Sequence, residues 1–187
     1  MAFGDSLTVG DVSNPANSYP AILQTQLRAS YPSQASSISV VNAGAGGEHL
    51  LEGALRFEDA FEAHRPDAVL LMEGVNDLLT LGPDVSAQLL QFMAQHAMSR
   101  NTRVFLGSML PTITGRQRSQ PVPQLTALNS RLQAMAIQQG VVYVDLYGAM
   151  LPEVETLIGS DGLHPTEAGY RRIADLFHAA IRQHLAQ

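Results

Sequence analysis

The stretch Ala68-Val69-Leu70-Leu71-Met72 is apolar without interruption, and polar and turn-forming residues follow it from Glu73 onward. A short continuous apolar run that ends in a turn predicts a strand buried on both faces. Strands of this kind are typical of the interior of parallel sheets, which helices cover on both sides. The stretch therefore predicts the central strand of an α/β sheet.

On both sides of this stretch, runs typical of strands alternate with patterns typical of helices. A short strand before residue 4 opens the chain, and further β-rich runs lie at 38–41, 104–109 and 141–144. Apolar residues recur at helical spacing over residues 19–27, 51–61, 85–97, 125–135 and 166–181. This alternation predicts an α/β protein, a three-layer α/β/α sandwich around a five-stranded parallel sheet.

Length and composition are those of one ordinary globular unit. A chain of 187 residues is long enough to bury a sizeable core, and no linker rich in Pro, Gly or Ser divides it. The hydrophobic content of 45% and the charged content of 15% are typical of globular proteins. We therefore expect a single domain over residues 1–187.

Charge and cysteine content exclude several classes of protein. The net charge is −6, and the short basic clusters at Arg116/Arg118 and Arg171/Arg172 form no continuous stripe. Phosphate backbones are bound by such a stripe, so we expect no nucleic-acid partner. The chain has no cysteine, which excludes disulfides, thiolate metal sites and a cysteine nucleophile.

The N-terminus and the hydropathy pattern bear on localisation. No apolar stretch approaches the roughly 20 residues needed to cross a bilayer, so we expect a soluble chain without a membrane span. The start Met1-Ala2-Phe3 has neither a basic segment nor a hydrophobic signal core. The first strand is short, however, so a native start and an omitted upstream secretory leader both remain open. The oligomeric state remains open as well.

Two separated segments carry the residue types of a catalytic triad. Ser6 stands in Gly4-Asp5-Ser6-Leu7, and Asp161 and His164 are three residues apart near the C-terminus. A serine becomes a good nucleophile when a histidine takes its proton, and a carboxylate orients that histidine and stabilises its cation. Ser6 and Asp161 are also common turn residues, so these segments alone do not decide the function.

Two further motifs directly follow strand-like runs: Asn42-Ala43-Gly44-Ala45-Gly46-Gly47 and Gly74-Val75-Asn76-Asp77. Loops at the carboxyl ends of parallel strands surround the ligand site, so both motifs are expected beside Ser6. With them the chain resembles the GDSL family of esterases and lipases, in its SGNH hydrolase branch. The four blocks of that branch are matched in order by Ser6, Gly44, Asn76 and His164. The resemblance runs from residue 4 to residue 165 and covers most of the chain.

The resemblance implies a flavodoxin-like strand order and a serine hydrolase that needs no metal or cofactor. Attack by Ser6 on an acyl carbon creates an oxyanion, which requires preorganised hydrogen-bond donors. The N–H groups of Ser6 and Gly44 and the amide of Asn76 are expected to form this oxyanion hole. A glycine at position 44 would allow close approach of the backbone to a ligand. Asp5 and Asp77 are expected to hold their loops.

The expected substrate is a small-molecule acyl ester. The segments 14–18 and 112–123 are polar and rich in turn formers, which is typical of pocket walls or movable flaps. The chain has no tryptophan and no long apolar insertion that would serve as a lipase lid. We therefore expect hydrolysis of short to medium acyl esters, including aryl esters. Within the family, a thioesterase or lysophospholipase and a carbohydrate acetylesterase are the alternatives.

Two alternatives lie outside this chemistry. A flavodoxin-like phosphate or flavin binder would hold phosphate with Ser6 and Thr8 at a helix N-terminus. This alternative leaves Asn76 and the Asp161/His164 pair without a role. The other alternative is a metal-dependent hydrolase built on Asp5, Asp77, Asp161 and His164.

Overall fold

The computed structural model describes residues 1–10 and 14–185, and within them the chain forms five strands and eight α-helices. The strands are β1 (Ala2–Gly4), β2 (Asn42–Gly44), β3 (Ala68–Met72), β4 (Arg103–Gly107) and β5 (Val142–Val144). The helices are α1 (Ser6–Val9), α2 (Tyr19–Ser30), α3 (Leu50–His64), α4 (Gly82–Met98), α5 (Val122–Gln139), α6 (Leu146–Met150), α7 (Val154–Leu157) and α8 (Glu167–Leu185).

The strands form one sheet in the order β2-β1-β3-β4-β5, and every neighbouring pair is parallel. This is the flavodoxin-like order, in which β3 is central. Four of the five residues of β3 are buried, as a strand covered on both faces requires. The predicted three-layer α/β/α fold and its parallel sheet are confirmed. The expectation of a single domain over residues 1–187 stays a prediction.

Helices cover both faces of the sheet. The ring of Phe3 in β1 meets the ring of Phe57 in α3 edge-on, with centroids 5.0 Å apart. The ring of Phe105 in β4 lies 6.2 Å from that of His184 in α8. The strand register sets Phe3 and Phe105 one residue out of step, so their side chains project to opposite faces. Therefore α3 and α8 lie on opposite sides of the sheet.

The second strand begins later than the sequence predicts. The β-branched run 38–41 lies outside β2, which covers Asn42–Gly44. Two of its backbone groups bond to side chains of α2: Gln24 accepts the Val40 N–H and Arg28 donates to Ile38 O, both at 3.0 Å. Only its last residue reaches the sheet, where Val41 O accepts the Ala2 N–H at 2.8 Å. The other differences are small, because β3 matches its prediction and β4 and β5 differ from theirs by one or two residues.

The carboxyl ends of β1, β2 and β3 lie side by side. Gly4 is level with both Gly44 and Met72 in the strand register. A Cβ at Gly4 would overlap Met72 O and Thr8 Oγ1, so only glycine allows this close approach. The loops that follow the three strands therefore meet at one edge. Among the described residues, no helix combines the length and apolar character needed to cross a membrane.

Candidate active site

Ser6 is the first residue of α1, the short helix that begins where β1 ends. Asp5 caps this helix, because its Oδ1 accepts the Leu7 N–H at 2.9 Å. The other oxygen of Asp5 accepts the Val75 N–H at 3.4 Å, which ties α1 to the turn after β3. Burial raises the pKa of Asp5 to about 6, against hydrogen bonds from Leu7, Val75 and Gly74 that favour its charged form. Asp5 holds its loop, as expected.

The structure brings Ser6, His164 and Asp161 together. Ser6 Oγ lies 3.0 Å from His164 Nε2, and His164 Nδ1 lies 2.6 Å from Asp161 Oδ2. The side chains of His164 and Asp161 are 28% and 27% exposed, so the three groups form a site that is open to solvent on one side. This linear arrangement lets the imidazole exchange a proton with the serine while the carboxylate orients the ring.

A tight turn holds the acid and the histidine together. Asp161 Oδ1 accepts the N–H groups of Leu163 and His164, each at 3.0 Å. Gly162 has a φ of 87°, a left-handed conformation that favours glycine. Partial burial opposes ionisation most strongly, yet hydrogen bonds from the His164 ring and the two backbone N–H groups together lower the pKa of Asp161. The carboxyl group is therefore ionised at neutral pH.

The loop after β4 braces this turn. Ile113 N–H and Thr112 Oγ1 both donate to Gly162 O, at 3.0 Å and 2.6 Å. Arg118 N–H donates to Asp161 O at 2.8 Å. The sequence predicts either a pocket wall or a movable flap for this loop. These bonds do not fit a free flap, because the loop is tied to the turn that carries the acid and the histidine.

Asn76 and Asp77 join the loops that follow β2 and β3. Asn76 Nδ2 donates to Glu48 O at 2.9 Å, which leaves its second amide hydrogen for another acceptor. Asp77 accepts the Leu50 N–H at 2.6 Å, and its other oxygen lies 2.9 Å from His49 Nδ1. Asp77 therefore fixes the start of α3 against the turn that carries Asn76.

Gly44 does not take the position expected of an oxyanion donor. Its N–H donates to Asn42 Oδ1 at 3.0 Å. A Cβ at this position would lie 2.5 Å from Val9 N, so glycine is needed for the packing of β2 against α1. Asn42 Nδ2 completes that contact by donating to Val9 O at 3.1 Å. The missing side chain of Gly44 makes room for α1, which corrects the expectation that it makes room for a ligand.

Gly46 and Gly47, the next two glycines of the same motif, have open space where a side chain would lie. No atom beyond their chain neighbours lies within 4 Å of the position that a Cβ on Gly46 or Gly47 would take. Among the described residues, no hydrogen bond engages their N–H groups. The following residue, Glu48, holds the amide of Asn76, so this turn lies alongside it. In the sequence, the pair of adjacent glycines is the signal that could have identified these donors. The sequence-based prediction assigns the donor to Gly44 instead, because Gly44 directly follows the strand-like run.

A buried charge cluster beneath this turn is absent from the sequence predictions. The Glu48 carboxylate accepts two hydrogen bonds from Arg56, at 2.7 Å and 2.6 Å. Glu73, directly after β3, is fully buried, and within the described part of the chain neither of its carboxyl oxygens has a hydrogen-bond partner. Burial, followed by the charges of Asp5 and Glu48, raises the pKa of Glu73 to about 10. Glu73 is therefore a neutral acid at physiological pH.

An open cavity of about 400 Å³ lies beside His164. Its described lining comprises Gly10, Asn17 and the start of α8 with the turn before it. The structure does not support the metal-hydrolase alternative. In residues 1–10 and 14–185, acidic and histidine side chains form no group of three or more that could hold a metal ion.

Comparisons with known proteins identify the family of the chain. The model of the GDSL-like lipase/acylhydrolase family matches residues 2–172. The structure is similar to a lipase/acylhydrolase from Enterococcus faecalis, with a TM-score of 0.83 and 23% identity over 98% of this chain and 94% of that one. It is also similar to the psychrotrophic esterase EstA from Pseudoalteromonas sp., with a TM-score of 0.76 and 20% identity over 100% of this chain and 97% of that one.

A third similar structure is the acetyl xylan esterase AlAXEase, with a TM-score of 0.78 and 22% identity over 96% of this chain and 98% of that one. Identities this low show a shared fold alone, and no curated protein sequence matches the chain. The family model covers most of the chain and corresponds to an esterase/lipase-type hydrolase. The chain is therefore a member of the GDSL-like lipase/acylhydrolase family.

Proposed function

We propose that this protein is a serine esterase that hydrolyses short to medium acyl esters, including aryl esters. The observation that carries the proposal is the unbroken series of hydrogen-bonding distances from Ser6 through His164 to Asp161. An ionised Asp161 accepts one ring N–H of His164, which leaves the other ring nitrogen free to accept the Ser6 proton.

The reaction then proceeds in two acyl-transfer steps. Ser6 Oγ attacks the acyl carbon while His164 Nε2 takes the hydroxyl proton, and a tetrahedral oxyanion forms. As this intermediate collapses, His164 returns the proton to the leaving alcohol and an acyl-enzyme remains. His164 then deprotonates a water molecule, which attacks the acyl carbon. As this second intermediate collapses, the bond to Ser6 Oγ breaks, His164 returns the proton to Ser6 Oγ, and the acid leaves.

The oxyanion is stabilised by donors from three loops. The Ser6 N–H begins α1 and has no partner within that helix. The second amide hydrogen of Asn76 is oriented by the bond of the first to Glu48 O. The third donor comes from the Gly46-Gly47 turn instead of Gly44, whose N–H is taken by Asn42. Donors fixed before the reaction need no reorganisation when the charge develops.

A carbohydrate acetylesterase is the second candidate, because one similar structure is that of an acetyl xylan esterase. Thioesters and lysophospholipids are the remaining alternatives with the same chemistry. A panel of acyl esters of increasing chain length, with thioesters and acetylated sugars alongside, separates these substrate classes.

Substitution of the nucleophile tests the proposal. We expect Ser6→Ala to lower kcat for 4-nitrophenyl butyrate by at least roughly 1,000-fold, because the acyl-enzyme no longer forms. The variant should also lose covalent labelling by a fluorophosphonate, read as a mass increase of the intact protein. Ser36→Ala changes an exposed serine outside the site and should keep both turnover and labelling. Near-normal turnover in Ser6→Ala would exclude Ser6 as the nucleophile.

A further inference from the structure

The position of the general acid determines where the leaving group lies. His164 must donate its proton to the leaving oxygen, so that oxygen and the alcohol attached to it stand on the His164 side of Ser6. The cavity of about 400 Å³ is lined by His164 itself. Ligand pockets typically measure roughly 300–1,000 Å³, so this cavity has room for an alcohol of several heavy atoms.

The chemistry of the lining indicates which alcohol fits. Asn17 and Tyr170 contribute polar side chains, and Glu167 contributes a carboxylate at the first position of α8. Arg171 is the cation nearest to Glu167 along the helix, and their contact is a long 3.5 Å pair between exposed side chains. Such an exposed pair is weak and does not hold the Glu167 carboxylate in place. Among the described lining residues there is no lysine or arginine to receive an anionic group.

One polar lining residue is already engaged. Thr166 Oγ1 donates to Thr156 O at 2.9 Å and accepts the Gly169 N–H at 3.1 Å, so it caps α8 and is not available to a ligand. The lining groups on which the argument depends are therefore the amide of Asn17 and the carboxylate of Glu167. Amide and carboxylate oxygens accept hydrogen bonds from hydroxyl groups, and a carboxylate repels anions.

We infer that this cavity binds the alcohol part of the substrate, and that this alcohol is rich in hydroxyl groups and carries no negative charge. The inference rests on the proposed esterase function and narrows its substrate class to esters of polyols such as glycerol or sugars. It disfavours phosphate-bearing leaving groups, such as those of lysophospholipids and acyl-coenzyme thioesters, because Glu167 and the net charge of −6 oppose them.

A charge series of leaving groups tests the role of Glu167. Butyrate esters of 4-nitrophenol, 3-hydroxybenzoate and 3-hydroxyphenyl-trimethylammonium carry a neutral, an anionic and a cationic leaving group. At low ionic strength, the wild type should show a higher kcat/KM for the cationic ester than for the anionic one. Glu167→Gln should lower this ratio about threefold and Glu167→Lys about tenfold, since a partly exposed charge is screened by water. The matched variants Asp59→Asn and Asp59→Lys alter an exposed acid on α3 and should leave the ratio unchanged.

Two substrates that differ in the hydroxyl groups of the alcohol test the role of Asn17. Glyceryl monobutyrate and ethyl butyrate share the acyl group and differ in the hydroxyls of the alcohol. Asn17→Ala should lower kcat/KM for the glyceryl ester about fivefold, the worth of one hydrogen bond, and should leave ethyl butyrate unchanged.

The outcomes separate this inference from the proposed function. If hydrolysis requires Ser6 but neither Glu167 nor Asn17 variants change the substrate ratios, the alcohol lies elsewhere and the inference is overturned. A wild-type preference for the anionic ester overturns it as well. If Ser6→Ala keeps full activity, the proposed function fails, and the inference fails with it.

Discussion

Asn76 donates one amide hydrogen to Glu48 O at 2.9 Å, and this bond sets the direction of the second amide hydrogen. A donor held in this way acts on the charge that develops in the transition state more than on the neutral substrate. At the scale of single residues, the site therefore depends on which donors are engaged and which are left free. Gly44 illustrates the opposite case, because its N–H is engaged by Asn42.

Removal of the Asn76 amide should affect the rate and not the affinity. We expect Asn76→Ala to lower kcat by about 100- to 1,000-fold, about 3 kcal/mol, with KM for 4-nitrophenyl butyrate nearly unchanged. Steady-state kinetics of the purified variant measure both constants, and its circular dichroism must match that of the wild type. A raised KM at unchanged kcat would remove Asn76 from the oxyanion hole.

At the scale of elements, α3 lies next to two acidic side chains, those of Glu48 and of Glu73 at the end of β3. A Cβ at Gly53 in α3 would lie 3.3 Å from Glu73 Cδ and 3.3 Å from Glu48 Oε2, so both side chains face the same point of the helix. The charged and titratable groups that act on Glu73 are Asp5, Glu48, Arg56 and Asp77. Because Glu73 is buried without a described partner, its folded state favours the protonated carboxyl.

The protonation of Glu73 predicts a pH-dependent stability. Its pKa rises from an ordinary value of 4.5 to about 10 in the folded protein, so between these values the native state holds one proton more than the unfolded state. The stabilisation is complete below the unfolded pKa and is lost as pH rises toward the folded pKa, by up to about 1.4 kcal/mol per pH unit. Glu73→Gln removes this loss. The free energy of unfolding of the variant should therefore rise relative to that of the wild type between pH 6 and pH 9.

Urea unfolding of both proteins at pH 6, 7.5 and 9 measures this difference. Glu155→Gln alters an exposed glutamate on α7 and serves as the control, because the stability of that variant should follow the wild-type pH dependence. If the curves of wild type and Glu73→Gln run parallel across this range, Glu73 is not a neutral acid in the folded protein.

At the scale of the whole molecule, α8 brings His164 to Ser6. The turn with Asp161 and His164 directly precedes α8, which packs against α2 on one face of the sheet. The ring of Phe177 in α8 stacks on that of Tyr19 in α2 with centroids 5.4 Å apart, and both side chains are fully buried. The contact between Ser6 and His164 therefore depends on the docking of a helix that begins 161 residues after Ser6 in the chain.

Truncation of the stacked ring should destabilise the fold. We expect Phe177→Ala to lower the free energy of unfolding by about 3–5 kcal/mol, from lost burial and the cavity left behind. Thermal unfolding measures the loss, and Leu151→Ala, at a residue that is 45% exposed, should change stability by less than about 0.5 kcal/mol. If Phe177→Ala unfolds at the wild-type temperature, the α2–α8 contact does not hold the helix that positions His164.

The strands show why some elements are predictable and others are not. The apolar run 68–72 predicts β3 to the residue, because a strand buried on both faces leaves an unbroken signal. The run 38–41 has an equally strong β-branched signal, yet the backbone of its first three residues bonds to Gln24 and Arg28 of α2. An edge segment has such a choice of partners, and local sequence does not record which partner it takes.

By itself, the sequence determines the parallel α/β fold and the three motifs that carry Ser6, Asn76 and the Asp161/His164 pair. Hydrophobic periodicity and short motifs are properties of neighbouring residues, so they are readable along the chain. Only the tertiary structure decides that the Gly44 N–H is engaged while no described residue bonds to the N–H groups of Gly46 and Gly47. It also decides that Glu73 is buried beside Glu48. These features arise from contacts between loops of different strands, where packing decides which polar groups are left without a partner.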